Sequence, residues 1–250
     1  MQNFQQDQLF GLPLTSVDFS TLVNMPALEQ QHGSLTPLEK VQVGILLMAT
    51  QPRVIIETGV WRGRTTHFIA EFLSLNHINA TVYGFDLPEI LDELKVGDPW
   101  FESAENIVFV PGSLPFSLNK WLAANQQTID FALVDAYHSF HAVRKELCAI
   151  APRLSERGYI FCHDYGRPGS KYEGVMCAVN EVAEQFDLAV LPFWSKDDNS
   201  QELSCQAAIL RKRVTCPTPR KLFHWRKYFA QEYPRLSFIW GSIRKRILGD

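Results

Sequence analysis

The sequence lacks the features that would place it in a membrane or outside the cell. Its apolar runs stay well below the roughly 20 residues that cross a bilayer. Residues 1–7 contain no basic region followed by an apolar one, which is the pattern of a secretory signal. The five cysteines are odd in number and form no C-x-x-C pair, so we expect neither a disulfide framework nor a cysteine-based zinc site. A cytoplasmic protein with reduced thiols is therefore expected.

Positive charge is concentrated at one end of the chain. Residues 211–250 contain eleven lysines and arginines against two acids, whereas the whole chain has a net charge of −3. Aromatic residues lie among these bases, and the apolar ones fall near helical spacing. A basic amphipathic helix is typical of peripheral contact with a membrane surface or of a partner protein. The alternative is a helix that packs on the domain with its basic face in solvent; nucleic acid is not an expected partner.

Apolar segments typical of strands alternate with helical patterns along the middle of the chain. Strands are predicted at residues 54–56, 80–85, 107–110, 129–134, 159–162, 188–193 and 205–210. Helices are predicted at residues 36–49, 65–75, 118–125, 141–150 and 175–185. This alternation is typical of an α/β protein with a mostly parallel sheet. Because no helix separates the last two strands, they must pair as a hairpin, which adds one antiparallel strand.

These elements divide the chain into three parts. Residues 1–35 are an irregular lead, residues 36–213 are one α/β domain, and residues 214–250 are a basic, aromatic, helical extension. The domain begins at a predicted capping box, in which Thr36 caps the helix and Glu39 bonds back to the cap. Residues 87–105 form a polar insert for which no regular structure is predicted.

A glycine turn follows the first strand of the domain. Glu57, Gly59, Gly63 and Thr65 form the spacing E-x-G-x-x-x-G-x-T. The two glycines allow a tight turn and close approach of a ligand to the backbone. A dinucleotide fingerprint has glycine where Glu57 stands, and an acid there would repel a pyrophosphate. The turn suits the cationic amine of S-adenosylmethionine (SAM), and an NAD(P)-type oxidoreductase is the alternative.

Polar side chains follow the four best-predicted strands: Glu57, Asp86, Asp135, and His163 with Asp164. The carboxyl ends of parallel strands share one edge of the sheet, where open α/β sheets bind their ligands. Any one of these acids could be structural, because Asp favours turns and caps. The four positions together predict a site at this edge.

Two strand ends predict contacts with a nucleoside. Asp86 lies 29 residues after Glu57 and can accept hydrogen bonds from both ribose hydroxyls. Gly112 and Ser113 follow the third strand, where they allow close backbone approach and offer a hydroxyl to an adenine edge. A plain turn is the alternative at Gly112 and Ser113.

Over roughly residues 54–211 the chain resembles the class I SAM-dependent methyltransferases. Two further segments, VDAYHSFHAVRKEL at 134–147 and PRLSERGYIFCHDY at 152–165, resemble macrocin-type sugar O-methyltransferases and their family 24 relatives. Residues 174–181 also fit that branch. The resemblance implies a Rossmann-like seven-stranded sheet in the order 3-2-1-4-5-7-6, with helices on both faces. It also implies SAM as cofactor and a small hydroxylated acceptor, such as a sugar or a secondary metabolite.

The resemblance further implies a divalent metal, held by Asp135 after the fourth strand and by His163 and Asp164 after the fifth. Oxygen ligands suit magnesium, but His163 departs from the usual acid and suits a transition metal better. The other reading is that His163 only forms hydrogen bonds and no metal binds.

His138 stands where catechol-type relatives keep a basic side chain near the acceptor hydroxyl. A neutral imidazole can take a proton near pH 7, so His138 is predicted as the catalytic base beside Asp135, which is also expected next to the cofactor. The alternative is a histidine that caps the following helix. A non-catalytic scaffold with a methyltransferase-like fold is a further alternative, and a homo-oligomer remains open.

Overall fold

The structure is a computed structural model that describes residues 8–9, 12–13, 35–98, 100–196 and 203–213. The strands are β1 (Gln8–Leu9), β2 (Leu12–Pro13), β3 (Val54–Thr58), β4 (Thr81–Asp86), β5 (Ile107–Pro111), β6 (Ile129–Val134), β7 (Leu154–His163), β8 (Leu188–Lys196) and β9 (Leu203–Lys212). The helices are α1 (Pro37–Thr50), α2 (Arg64–Leu75), α3 (Pro88–Gly97), α4 (Trp100–Ser103), α5 (Phe116–Ala124), α6 (Phe140–Ile150) and α7 (Glu173–Gln185), and a 3-10 turn spans Ala151–Arg153.

Seven strands form one sheet in the order β5-β4-β3-β6-β7-β9-β8. The pairs among β5, β4, β3, β6 and β7 are parallel, while β9 pairs antiparallel with both β7 and β8. This confirms the predicted order 3-2-1-4-5-7-6 with one antiparallel strand. In the register, Thr58 lies opposite Val134, and Val134 lies opposite Cys162. The residues that follow these strands therefore lie along one edge.

Helices cover both faces of the sheet, as predicted. Ile55 of β3 packs into a buried cluster that includes Leu47 of α1 and Phe68 of α2. Its neighbour Ile56 faces the other side, in a cluster that includes Val179 of α7. Burial of one such side chain contributes about 1.5–3 kcal/mol. The strand ends that carry the site are thus held from both faces.

Helix α1 begins at the predicted capping box. The Glu39 amide donates to the Thr36 hydroxyl at 3.3 Å, and the Thr36 amide donates to Glu39 Oε2 at 2.9 Å. Pro37 occupies the first turn, where its missing N–H costs nothing. The cap brings the Glu39 carboxylate to a fixed, fully buried position.

The structure differs from the sequence-based prediction in the insert. Residues 88–97 form α3, whose start is marked by Pro88, and α4 follows at once. Leu91, Leu94 and Phe101 pack with Val60 in a third buried cluster beneath the insert. Leu91 and Leu94 are three residues apart and therefore lie on one face of the helix. The mostly polar composition of the segment explains why this helix was not predicted.

Strand β7 is also longer than predicted, since it begins at Leu154 rather than at residue 159. The pairing of β6 with β7 is shifted between Ile129 and Phe131. A side chain on Gly158 would lie 2.9 Å from the Ile129 carbonyl oxygen. Glycine at position 158 therefore allows β7 to pair with β6 across the register shift, although this segment of β7 is mostly polar.

The predicted N-terminal lead and C-terminal extension lie almost wholly outside the described residues. Only the short hairpin of β1 and β2 is described in the lead. The boundary after residue 213 and the role of the basic extension stay predictions. In the part of the chain that the structure describes, no helix has the length and apolar character needed to cross a membrane.

Candidate functional site

The glycine turn links the end of β3 to α2. Gly59 and Gly63 have φ of +86° and +67°, in the left-handed region that favours glycine. A side chain on Gly59 would lie 2.7 Å from Ala136 Cα and would also meet the Asp135 carbonyl. A side chain on Gly63 would come within 2.8 Å of Leu94. The turn therefore packs directly against the segment that follows β6.

Glu57 lies fully buried beneath this turn. Its Oε2 accepts a hydrogen bond from the Thr66 hydroxyl at 2.6 Å. Its Oε1 has no hydrogen-bond partner among the described residues. Burial raises the pKa of Glu57 to about 8, against the lowering effect of Thr66, and the charges of Asp135 and Asp86 add to the rise. A buried acceptor without a partner is costly, so the site favours a ligand with a cationic donor.

The residue that contacts Glu57 is Thr66, which directly follows the predicted cofactor residue Thr65. Thr65 is buried in the first turn of α2, next to Gly63. Helical geometry directs the next residue, Thr66, back towards Glu57 of β3. The E-x-G-x-x-x-G-x-T pattern alone does not show which threonine makes this contact.

Asp86 binds the glycine turn to the end of β4. Its Oδ2 accepts from the Trp61 amide at 2.8 Å, and its Oδ1 accepts from the Leu87 amide at 2.7 Å. A carboxylate has about four acceptor positions, so two remain for the predicted ribose hydroxyls. The Gly112 amide donates to the Asp86 carbonyl at 2.9 Å, and the carbonyl of Ser113 accepts from the Ser117 amide. The structure thus brings Gly112 and Asp86 together, as expected.

Asp135, His138, His163 and Asp164 form a closed ring of side chains, which we call the His–Asp ring. Asp135 Oδ1 lies 3.3 Å from His138 Nε2 and 3.0 Å from His163 Nδ1. Asp164 Oδ2 lies 3.1 Å from His138 Nε2 and 3.5 Å from His163 Nδ1. One ligand atom from each of the four residues lies within 4.8 Å of all the others. All the predicted metal and base residues therefore meet at one point.

The charges in the His–Asp ring stabilise one another. Burial tends to raise the pKa of Asp135, but the adjacent His163 and His138 lower it to about 2. The hydrogen bond from His138 to Asp135 raises the pKa of that histidine, although burial opposes the rise. Burial also opposes protonation of His163, yet the charge of Asp135 raises its pKa well above the usual value. Asp135 is therefore ionised, and its negative charge interacts with both imidazoles.

Asp164 has a φ of +54°, which is uncommon for a residue other than glycine. The residue before it, His163, still belongs to β7, so the chain turns sharply as the strand ends. This conformation costs about 1–3 kcal/mol and tends to persist at functional sites. This backbone conformation directs the Asp164 carboxylate towards His138.

The His–Asp ring has the dimensions and chemistry of a metal site. The four neighbouring contacts span 3.0–3.5 Å, close to the roughly 3 Å that separates adjacent ligands around an ion at ~2.1 Å. Two imidazole nitrogens and two carboxylate oxygens suit zinc or a transition ion better than magnesium. The residues present therefore fit a divalent metal.

Two buried acids near the His–Asp ring were not predicted as site residues. Glu39 of α1 places Oε2 3.4 Å from His163 Nε2. Glu146 lies on the buried face of α6, beside Val143 and Leu147, and its Oε2 has no hydrogen-bond partner among the described residues. Burial raises the pKa of Glu146 to about 7, the nearby Thr58 hydroxyl opposes this, and the charge of Asp135 adds to it. The sequence does contain one signal for Glu146: it is an acid at a helix position where the spacing predicts an apolar residue.

Replacing Glu146 with Gln is expected to reduce the pH dependence of stability. The folded state keeps the Glu146 proton up to about pH 7, while the unfolded state loses it above the ordinary pKa of 4.5. The stabilising contribution is therefore complete below pH 4.5 and is lost as the pH rises to about 7. Relative to wild type, the variant should gain about 1–3 kcal/mol between pH 4.5 and pH 8.

Urea unfolding across this pH range measures the effect of Glu146→Gln. Glu184 lies on the exposed side of α7, so Glu184→Gln is the matched control and should keep the wild-type profile. Parallel profiles for Glu146→Gln and wild type would show that Glu146 is already ionised in the folded protein.

Several solved structures that share this fold are methyltransferases. An O-methyltransferase from Bacillus cereus, in complex with SAH, matches with a TM-score of 0.56 and 14% identity, over 76% of this chain and 89% of that chain. The TomG O-methyltransferase from Streptomyces achromogenes, in complex with SAM, gives 0.54 and 14%, over 75% and 82%. A TDP-rhamnose 3'-O-methyltransferase of calicheamicin biosynthesis gives 0.50 and 22%, over 79% and 89%.

The described domain therefore has the fold of the class I SAM-dependent methyltransferases. Within that class, residues 56–165 match the family 24 model, described as a methyltransferase domain. This match covers 110 of the 250 residues, so it is a similarity to that family. No curated protein matches the sequence.

Proposed function

We propose that this methyltransferase transfers the sulfonium methyl group of SAM to a hydroxyl of a small molecule, such as a sugar or a secondary metabolite. The observation that carries this proposal is the contact between Gly59 and the Asp135 carbonyl. It joins the turn that would hold the methyl donor to the His–Asp ring that would receive the acceptor. Orientation of the two reactants is the main contribution that such a site makes to rate.

On the donor side, the chain offers a buried acid for the amine and a second acid for the ribose. Glu57 would pair its free Oε1 with the ammonium of SAM. Asp86 keeps two acceptor positions after binding the Trp61 and Leu87 amides. The glycines between them leave room for the ligand beside the backbone.

On the acceptor side, His138 is placed to take the hydroxyl proton. Its side chain is 38% exposed, and its ring stands edge-on to Tyr172 with centroids 5.3 Å apart. The neighbouring Tyr137 is 57% exposed. An exposed and a half-buried tyrosine ring beside a base suit a flat or cyclic acceptor. The hydroxyl acceptor is also supported by the neighbour described as a TDP-rhamnose 3'-O-methyltransferase.

A divalent metal would be held by Asp135, His163 and Asp164, with His138 beside it. When bound, such an ion lowers the pKa of a coordinated hydroxyl. The pKa of His138 is raised by its hydrogen bond to Asp135. Because a base must be neutral, the raised pKa of His138 moves its action as a base to higher pH.

Calorimetry with SAM, SAH and NAD tests the donor half of this proposal. We expect SAM and SAH to bind and NAD not to bind, because Glu57 stands where a dinucleotide fingerprint has glycine. A cationic ligand favours ionised Glu57, whose pKa is about 8 in the free protein. Binding near pH 7 should therefore release a proton, seen as a heat that changes with the ionisation enthalpy of the buffer. Glu57→Gln should abolish that release.

Failure of both SAM and SAH to bind would overturn the proposed function. If they bind but no hydroxylated acceptor in a broad panel releases SAH, the chain is a methyltransferase-like binding protein. If NAD binds in their place, the oxidoreductase alternative is correct.

A further inference from the structure

The loop between β7 and α7 forms a wall beside His138. A side chain on Gly174 would lie 3.1 Å from the Phe140 amide nitrogen, so the start of α7 packs closely against the start of α6. This contact brings the end of the loop next to the residues that follow β6. The Tyr172 ring, which is half-buried, stands edge-on to His138 with centroids 5.3 Å apart.

The same loop carries positive charge and no negative charge. Residues 165–172 include Arg167 and Lys171, both exposed, and no acid. The residue after the loop, Glu173, is an acid, but its Oε2 accepts from the Gly169 amide at 3.0 Å. The loop is therefore a basic edge of the site.

Lys171 holds its charge at a defined distance from His138. Its Nζ lies 4.5 Å from the centroid of the Tyr172 ring. Because that ring contacts His138, the ammonium lies within about 10 Å of the His138 ring. An ammonium group has three N–H donors, so a contact with a ring face still allows it to bind an anionic group.

The charges around His138 decide how an anionic molecule can lie in the site. Asp135 and Asp164 place carboxylate oxygens 3.3 Å and 3.1 Å from His138 Nε2. These carboxylates repel an anionic group, whereas Lys171 attracts it. An acceptor with one such group would therefore bind with its hydroxyl at His138 and its anionic group at the loop.

We propose that the acceptor is an anionic hydroxyl compound, and that Lys171 determines this specificity by binding the carboxylate or phosphate group of the acceptor. The inference rests on the proposed function and narrows its acceptor to molecules with a negative charge about one ring away from the methylated oxygen. Lys171 binds and orients the acceptor, and it takes no part in the proton transfer.

Three variants isolate the charge of Lys171. Lys171→Met removes the ammonium but keeps a flexible apolar side chain that can lie on the Tyr172 ring. Lys171→Arg keeps both the charge and the contact with the ring. Lys120→Met is the matched control, because Lys120 is an exposed lysine of α5 and belongs neither to the loop nor to the His–Asp ring.

Two pairs of probes differ in charge but little in shape. One pair is 3,4-dihydroxybenzoate and its neutral amide, and the other is glucose 1-phosphate and methyl glucoside. Each probe is titrated into the SAH complex, and NMR of labelled tyrosine and histidine reports its affinity and whether it contacts Tyr172 and His138. We expect the anionic member of at least one pair to bind about 10-fold more tightly than its partner, and this preference to weaken at high salt.

The preference should fall to about 3-fold or less in Lys171→Met, and it should persist in Lys171→Arg and in Lys120→Met. A preference in one pair only supports the inference and assigns the anionic group as carboxylate or phosphate. The inference is overturned if neither anionic probe binds wild type more tightly than its neutral partner, if Lys171→Met keeps the wild-type preference, or if Lys120→Met loses it equally.

SAH binding is measured first in the same samples. Absence of SAH binding overturns the proposed function, whereas SAH binding without a preference for the anionic probes overturns this inference alone.

Discussion

Asp135→Asn is expected to lower methyl transfer by about 10³-fold or more. Asp135 Oδ1 contacts both histidines of the His–Asp ring, at 3.3 Å from His138 Nε2 and 3.0 Å from His163 Nδ1. The carboxylate is ionised at all working pH values, since its pKa is about 2. Asparagine keeps the shape of the side chain but removes the negative charge that pairs with both imidazoles and that would help to hold a divalent metal. The loss should appear in kcat, because donor binding at Glu57 stays in place.

The measurement is SAH release on any acceptor that the wild-type protein methylates, together with SAH affinity. Asp187→Asn is the control, because that side chain lies exposed at the start of β8 and pairs with Arg213. Asp187→Asn should keep wild-type turnover, and SAH should bind Asp135→Asn within about 3-fold of wild type. Treatment of wild type with EDTA should reproduce most of the loss. Full turnover in Asp135→Asn would remove this residue from catalysis and from metal binding.

Gly59→Ala is expected to destabilise the protein and to abolish SAM binding. The left-handed φ of +86° costs about 1 kcal/mol for a residue with a side chain. A new Cβ would also lie 2.7 Å from Ala136 Cα, and overpacking of this kind costs about 1–3 kcal/mol more. The clash pushes β3 away from the segment that holds Asp135, so donor and acceptor sites separate.

Gly169 provides a matched control for the Gly59 variant. Its φ is +79°, nearly the same as that of Gly59, but a side chain there would meet nothing within 4 Å. Gly169→Ala should therefore show the backbone cost alone and should bind SAM normally. Thermal unfolding should place Gly59→Ala roughly 2–10 °C below Gly169→Ala. Equal midpoints and equal SAM affinity would show that the contact with Asp135 is not needed.

The strands could be predicted because each is a short apolar run bounded by turn residues, whereas their order in the sheet was implied by the resemblance to class I methyltransferases. The residues that follow these strands could also be placed together, since parallel strands share one carboxyl edge. Asp135, His163 and Asp164 meet as expected. Periodicity did not reveal the start of β7, because residues 154–158 are mostly polar and contain Gly158.

The contacts of Glu39 and Glu146 could not be predicted from sequence patterns. The capping box of Thr36 and Glu39 was visible, but its second contact is with His163, far along the chain. That contact depends on how α1 packs across β7, which local spacing does not specify. Glu146 interrupts an apolar helix face, and its place behind Thr58 follows only from the packing of α6 on β3.

The insert that holds α3 and α4 has its own small buried cluster, Val60, Leu91, Leu94 and Phe101, apart from the two clusters of the sheet. The insert therefore packs as a small unit of its own beside the site. Because Val60 belongs to the glycine turn and Leu94 lies against Gly63, changes in the insert reach that turn first. The two larger clusters, which hold the strands in place, do not depend on it.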